Sequence, residues 1–262
     1  MQINEQIRNF YNQHVNDEDQ RLQYHAFELP VTLHYIKKYL KPGAKILDVS
    51  SGTGRYGQNL LNLGYKVAFN DLAEKNIQLV KERLQDHENF LAAETNEALA
   101  TNLWSKENWD AILILGPLYH YISNQKRVAI LNKAREHCKK NGYIFSAFMS
   151  RIGALVFGMK HNPDGIFSPR GAYHLWEKGF DENFVESTET FAGAHVYFSN
   201  PDEIIPLIES AGLKSLHLAG IEGLFGERFA EYHQMTDDQK KAWLDLVIQF
   251  AEDKPMVYNS KH

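Results

Sequence analysis

The sequence predicts an α/β protein built on a doubly wound, mostly parallel sheet. From about residue 44 to residue 150, strand-like apolar runs alternate with segments of helical periodicity. A glycine-rich turn follows the first run at once, and the run 110–116 is apolar on both faces. Repeated strand–helix units imply crossover connections, and a fully apolar strand is typical of the centre of a parallel sheet.

The elements follow in a regular order. The first strand, 46–49, leads through the glycine turn into a helix that carries Tyr56 and Leu60 on one face. Gly64 has the position of a helix C-cap, and a second helix follows with Ile77 and Val80 on its apolar stripe. A third helix begins after Ser123. The remaining predicted strands are 65–71, 89–94, 110–116 and 143–149.

Composition and charge narrow the class of protein. The chain has 262 residues, of which 44% are hydrophobic and 23% are charged, as in an ordinary globular enzyme. A net charge of -5 gives no general attraction to nucleic acid, so we expect no nucleic-acid partner. No apolar run is long enough to span a membrane and the N-terminus lacks signal-peptide features, so we expect a cytoplasmic protein without a membrane partner. The single cysteine, Cys138, lies on a helical pattern and is expected to be inert core.

The glycine turn is the strongest functional signal. Residues 52–57 read Gly-Thr-Gly-Arg-Tyr-Gly, which matches the dinucleotide fingerprint, and Asp71 lies about where the ribose-binding acid of that fingerprint is expected. However, Asp48 ends the first strand four residues before Gly52. A carboxylate there suits an ammonium group and is unfavourable beside a pyrophosphate. The pattern therefore favours S-adenosylmethionine, with a nicotinamide cofactor as the alternative.

Several polar or glycine residues share one edge of the predicted sheet. Asp48, Asp71, Glu94 and Gly116 each follow or end a different strand. Ligands of doubly wound sheets bind at the carboxyl ends of the strands, so one shared site is predicted there.

Three further stretches carry a family resemblance. Lys41–Asp48, Leu115–Tyr121 and Ile221–Gly223 resemble bacterial class I S-adenosylmethionine-dependent methyltransferases of the small-molecule type. The resemblance implies a Rossmann-like class I methyltransferase fold and S-adenosyl-L-methionine as cofactor. It implies that the adenine is held by Glu94, or by Glu97 with a small register change. The implied cofactor-binding residues are Asp48, Ser50, Gly52, Thr53, Gly54, Tyr56, Asp71, Leu72, Glu94, Thr95 and Gly116.

The family resemblance also bears on chemistry. In-line methyl transfer to an unidentified small-molecule acceptor is expected, in which the protein aligns the nucleophile and excludes water. The loop after the fourth strand is implied to face the reaction centre, so Tyr119 and His120 are the candidate catalytic residues. Packing or structural roles for both are the alternative. No metal ligand set is predicted, since His161, His174 and His195 lack the spacing of a known metal site. A catalytically silent cofactor-binding protein remains a third reading.

Residues 1–262 are predicted to form one methyltransferase domain. Residues 151–186 lack periodicity and are rich in glycine, aromatic residues and histidine, which is typical of a lid. Further strands are expected at 191–199 and 213–219, but the residues near the C-terminus are too polar for the seventh strand of the family. The predicted parts are an N-terminal helical cap at 1–40, a cofactor-binding core at 41–150, a lid insertion at 151–187 and a C-terminal sheet with helices at 188–262.

Overall fold

The computed structural model describes residues 2–161, 163–164, 172–180, 196–226 and 228–261. Its main sheet has five parallel strands in the order β3-β2-β1-β4-β5. The predicted doubly wound parallel sheet is therefore confirmed. The strands are β1 Lys45–Val49, β2 Lys66–Asp71, β3 Phe90–Thr95, β4 Trp109–Ile114 and β5 Cys138–Ser146.

Helices cover both faces of this sheet. On one face of the sheet, Leu47 and Val49 of β1 pack with Trp104 and Ile130. On the other face, Ile46 packs with Ile36, Leu60 and Val80. Because successive strand residues point to opposite faces, a run of apolar residues is buried on both sides. The helices of this part are α1 Gln2–Gln13, α2 Val15–Tyr24, α3 Glu28–Tyr39, α4 Arg55–Asn62, α5 Glu74–Leu84 and α6 Asn124–His137.

The strand order reverses at β1. From β1 the chain first adds β2 and β3 on one side of the sheet, and it then adds β4 and β5 on the other side. Such a switch point leaves a crevice beyond the carboxyl ends of the central strands, where ligands of these folds bind. The first three helices stand before the sheet in sequence. Phe27 and Val31 join Val247, Ala251 and Met256 in a third apolar cluster.

The fifth strand begins earlier than predicted. Cys138 ends α6 and starts β5, so the cysteine is not on a helix. Asn141-Gly142, which has the composition of a turn, lies inside the strand as an irregularity between the pairs Trp109–Cys138 and Ala111–Tyr143. Burial raises the pKa of the Cys138 thiol to about 11, which agrees with the expected inert role.

The region after β5 differs most from the prediction. The expected irregular lid begins with a regular helix, and a second helix follows, although residues 162, 165–171 and 181–195 lie outside the described residues. Of the predicted strand 191–199, the described part contains a two-residue strand that pairs in parallel with β6. The strand predicted at 213–219 is wrong, because this segment carries no ladder hydrogen bonds. The elements here are β6 Met149–Ser150, α7 Arg151–His161, α8 Ala172–Lys178, β7 Phe198–Ser199, α9 Pro201–Ser210, α10 Phe229–His233, α11 Asp237–Phe250 and α12 Lys254–Asn259.

The helix Pro201–Ser210 begins directly after Asn200. The Asn200 side chain accepts from the Asp202 backbone N–H at 3.2 Å, and the Glu203 side chain accepts from the Asn200 N–H at 3.1 Å. This reciprocal pair is a capping box that fixes the start of α9. Within the described part of the chain, no helix has the length and apolar character needed to cross a membrane.

Candidate active site

The loop between β1 and α4 forms a tight turn at the carboxyl edge of the sheet. Ser50, Gly52 and Gly54 have φ angles of 58°, 55° and 78°. Ser50 is the single non-glycine residue with positive φ in the described chain, a conformation that proteins retain mainly at functional sites. The Ser51 N–H donates to the Asn70 carbonyl at 2.8 Å and fixes the loop beside β2.

The two predicted loop glycines serve different contacts. A Cβ atom at Gly52 would lie 3.5 Å from Oε1 of Glu18, which extends over the loop from α2. A Cβ atom at Gly54 would lie only 2.8 Å from Cγ2 of Val80 on α5. Gly54 therefore permits close packing of α4 against α5, whereas Gly52 leaves the backbone open toward α2.

Asp71, at the end of β2, organises the loop. Its Oδ2 accepts from the Gly52 N–H at 2.9 Å, and its Oδ1 accepts from the Ala73 N–H at 2.8 Å and from Asn76 Nδ2 at 3.1 Å. Burial raises the Asp71 pKa to about 6 even though these three hydrogen bonds favour the ionised form. A carboxylate has about four acceptor positions, so Asp71 keeps capacity for a ligand hydroxyl.

Asp48 is the most unusual polar group of the site. Its side chain is buried, and Oδ2 has no hydrogen-bond partner among the described residues. Burial, and secondly the Asp71 carboxylate, raise the Asp48 pKa to about 7. A buried oxygen without a partner costs free energy, and a cationic ligand group at this position would remove that cost.

These groups face one cleft of about 940 Å³, counting the space open to solvent, at the carboxyl ends of β1, β2 and β4. Ten of the thirteen residues predicted for cofactor or catalysis line it, and Gly54, Glu94 and Thr95 do not. The ten are Asp48, Ser50, Gly52, Thr53, Tyr56, Asp71, Leu72, Gly116, Tyr119 and His120.

Glu94 has a structural environment instead. Its carboxylate accepts from Thr101 Oγ1 at 2.6 Å, from the Asn102 side chain at 2.7 Å and from Asn96 at 3.2 Å. Burial raises the Glu94 pKa, but these hydrogen bonds outweigh it and hold that pKa below its ordinary value. The second acid weighed from the sequence, Glu97, lines the cleft.

Tyr119 and His120 lie in a short 3-10 turn after β4, at one end of the cleft. His120 Nε2 is 2.9 Å from the Tyr11 hydroxyl oxygen, and the two rings meet edge to face. The Tyr119 ring packs against the His120 ring at 4.7 Å between centroids. Burial raises the pKa values of Tyr11 and Tyr119, so both hydroxyls stay protonated at neutral pH.

Residues of α1 and α2 complete the cleft, and their hydrogen bonds to distant residues were not predicted from the sequence. Arg21 donates to both oxygens of the buried Glu28, at 2.5 Å and 2.9 Å, and its Nε donates to Glu18 at 3.2 Å. Tyr56 also donates to Glu28, at 2.9 Å. The N-terminal helices are thereby joined to the helix that follows the glycine loop.

A second set of ion pairs attaches α2 to the core. Asp19 accepts from Arg55 Nη2 at 3.0 Å and from Arg83 at 2.6 Å and 2.8 Å. Arg55 Nε also donates to the Asp19 carbonyl at 3.0 Å. Hydrogen bonding to Arg83 is the largest effect that lowers the Asp19 pKa. The start of α4 and the last turn of α5 therefore both hold this helix over the cleft.

Of the three histidines weighed as metal ligands, His174 is the one whose side chain lies within the described residues. His195 lies outside the described residues, as does the environment of the His161 side chain. His174 is on α8, beside the largely exposed Tyr173 and Trp176. No group of three potential metal ligands occurs in the described ranges.

Comparison with known proteins bears on the function of this cleft. Residues 46–142 match the family model of a methyltransferase domain. A S-adenosylmethionine-dependent methyltransferase from Methanosarcina mazei superposes with a TM-score of 0.51 at 18% identity, over 68% of this chain and 82% of that chain. PKMT2 from Rickettsia typhi superposes with a TM-score of 0.51 at 17% identity, over 85% of this chain and 51% of that chain. A comparison with curated proteins gives no match.

The family match and the two structures agree with the resemblance noted in the sequence. At such low identity the structures establish the fold, which is that of class I methyltransferases. The matched segment runs from β1 through the glycine loop and β4 to the start of β5, so it includes the strands whose carboxyl ends form the cleft. Residues 46–142 form a methyltransferase domain, and S-adenosylmethionine is the cofactor.

Proposed function

We propose that this S-adenosylmethionine-dependent methyltransferase transfers the methyl group in line to a small-molecule acceptor bound in the cleft. The observation that carries the proposal is the cleft in which Asp48, Asp71, Tyr119 and His120 meet. Residues of α1 and α2 form one wall of this cleft and cover the ends of the strands. A cover of this kind suits a reaction from which water must be kept out.

The residues present fit the cofactor. The unpartnered Oδ2 of Asp48 suits the α-ammonium group, and Asp71 suits the ribose hydroxyls. Glu97, rather than Glu94, is the acid available for the adenine. When bound, the cofactor supplies a methyl group that its sulfonium has already activated. The methyltransferase match replaces the nicotinamide alternative, which the Asp48 environment also disfavours.

The protein's own part in the chemistry is orientation and proton transfer. The imidazole of His120 is the group suited to accept a proton from the acceptor. The Tyr11 hydroxyl oxygen lies 2.9 Å from His120 Nε2, and the Tyr119 ring packs edge to face with the imidazole. A neutral Tyr119 hydroxyl orients the acceptor through a hydrogen bond and does not act as a base.

Calorimetry and turnover together test this function. We expect the protein to bind S-adenosylmethionine and to transfer radiolabelled methyl groups from it to small molecules. His120→Asn should lower turnover by about 100-fold while leaving the dissociation constant of the cofactor nearly unchanged. Tyr119→Phe removes one hydroxyl and tests acceptor orientation.

Two matched variants control for general damage. His87→Asn replaces a histidine outside the cleft, and Tyr173→Phe removes an exposed hydroxyl, so both should retain full turnover. Cofactor binding without methyl transfer to any small molecule would support the silent binding protein instead. Full turnover in both His120→Asn and Tyr119→Phe would remove these two residues from the chemistry.

A further inference from the structure

The charges that line the cleft are unequal. Four carboxylates face it, from Glu18, Asp48, Asp71 and Glu97, against the guanidinium groups of Arg21 and Arg55. Both cations already have acidic partners behind the cleft wall, because Arg21 is paired with Glu28 and Arg55 with Asp19. The cleft therefore carries an excess of negative charge that its own residues do not balance.

The cofactor accounts for part of that excess only. Its ammonium and sulfonium outweigh its carboxylate by one positive charge, and Asp48 and Asp71 are the acids that suit its ammonium group and ribose. Glu18 is left over. Its Oε1 accepts from Arg21 Nε at 3.2 Å, and Oε2 has no hydrogen-bond partner in the described part of the chain.

Glu18 lines the same cleft as Tyr11 and Tyr119. Burial raises the pKa values of both tyrosines; the Glu18 carboxylate adds to that effect, and the Arg21 guanidinium, with which Glu18 is paired, opposes it. Those tyrosines flank His120. A carboxylate with one unpartnered oxygen, lining a cleft with two neutral aromatic rings, suits the binding of an organic cation and repels carboxylates and phosphates.

We propose that the methyl acceptor is an amine, bound as its ammonium by Glu18 and the rings of Tyr11 and Tyr119. This inference rests on the proposed function. The ammonium N–H bond breaks and its proton passes to His120. The amine nitrogen then forms a bond to the methyl carbon while the carbon–sulfur bond breaks, and that electron pair stays on sulfur. The methylated ammonium leaves, and His120 releases its proton to solvent.

Matched acceptors test the charge preference. Amines, alcohols and carboxylates on the same ethyl, butyl, benzyl and 2-phenylethyl skeletons are incubated with the full chain and radiolabelled S-adenosylmethionine. Each compound is also titrated by calorimetry into the protein saturated with S-adenosylhomocysteine. We expect amines to take up the radiolabel and to give binding heat. Both signals should be at least about 10-fold larger for an amine than for the matched alcohol or carboxylate.

Variants at Glu18 test the assignment of the residue. Glu18→Gln should lower kcat/KM for the best amine by about 10-fold or more, and Glu18→Asp should lower it less because the charge remains. Glu88→Gln removes an exposed carboxylate outside the cleft and should have no effect. The dissociation constant of S-adenosylmethionine should stay within about threefold of the original in all three variants.

Three results would overturn the amine proposal. The first is faster methylation of carboxylates or alcohols, or no amine methylated by a protein that binds S-adenosylmethionine. The second is an unchanged amine kcat/KM in Glu18→Gln. The third is a loss of S-adenosylmethionine affinity in Glu18→Gln that is as large as the loss of amine kcat/KM, which would assign Glu18 to the cofactor. Failure of the original protein to bind S-adenosylmethionine would instead contradict the proposed function.

Discussion

The two walls of the cleft are built in different ways. The wall at the strand ends comes from one short stretch, in which Gly52 and Asp71 are 19 residues apart and directly hydrogen bonded. The wall from α1 and α2 is attached by bonds between distant residues, such as Tyr11 to His120 across 109 positions and Asp19 to Arg83 across 64. A local motif thus specifies the proposed cofactor side, whereas tertiary packing specifies the proposed acceptor side.

The two walls of the cleft also differ in burial. Asp48 and Asp71 are 2% and 6% exposed, while the side chains of Glu18 and Arg21 are 21% and 24% exposed. The strand-end wall is therefore a rigid, desolvated surface, and the helical wall keeps contact with solvent. Substitutions on the first wall should mainly change cofactor affinity, and those on the second should mainly change closure and acceptor handling.

The largest effect in this comparison is expected for Asp71→Ala. The variant loses the proposed ribose contact and the bond that holds the Gly52 N–H, so cofactor affinity should fall by about 10- to 100-fold. Calorimetry measures the change. Asp86→Ala, at an exposed position outside the cleft, is the control. Unchanged affinity in Asp71→Ala would exclude Asp71 from the cofactor site.

A smaller effect is expected from pH. Asp48 has a pKa of about 7 in the free protein, and only its ionised form suits an ammonium group. Below that pKa, binding of the cofactor must release a proton, so affinity should rise with pH between about 5.5 and 7.5, by at most about 10-fold per unit. Asp48→Asn should remove most of this dependence. A flat profile for the original protein would contradict the pairing.

Protonation of Asp48 also affects how the stability of the fold depends on pH. A carboxyl whose folded pKa is raised binds its proton more tightly in the native state, so its contribution to stability is fully present below the unfolded pKa and is lost as pH rises through about 7. Saturating cofactor should therefore stabilise the protein more at pH 7.5 than at pH 5.5. Thermal unfolding with and without cofactor gives this comparison alongside the calorimetry.

The smallest effect is expected on the helical wall. Asp19→Ala removes the pairs with Arg55 and Arg83, which should lower the free energy of unfolding by about 1 kcal/mol. Hydrogen exchange in residues 2–24 should become faster, while cofactor affinity changes little. Asp17→Ala, an exposed acid on the same helix, is the matched control. Equal exchange in the two variants would show that these ion pairs do not hold α2 down.

The predicted site residues that meet in the cleft have local determinants. Asp48, Gly52 and Asp71 were identified because strand, turn and strand end follow one another in the chain. Neither the contact of Tyr11 with His120 nor that of Arg21 with Glu28 was predicted, since an amphipathic helix reveals which face is buried but not which distant group it meets. Their placement depends on contacts with His120 and Glu28 that no local pattern encodes.

The wrong predictions about the fold also come from contacts between residues that are distant in the sequence. Gly153 and Gly158 made the start of the lid look irregular, yet both lie in α7, and a Cβ at Gly153 would come within 2.5 Å of the Lys261 backbone. The glycine there serves close packing and does not break the helix. Residues 213–219 have the composition of a strand, but a strand also needs a neighbour to pair with.

The residues of the helical wall lie close together in the sequence, which affects how acceptor specificity can change. Its cleft-lining residues all fall within 4–22, ahead of the first strand, and are separate in sequence from the glycine loop. One short segment thus carries the helical wall on the proposed acceptor side, and we expect its exchange between related chains to change acceptor selectivity while the glycine loop stays in place. A single recombination junction ahead of the first strand would then be enough to exchange this wall.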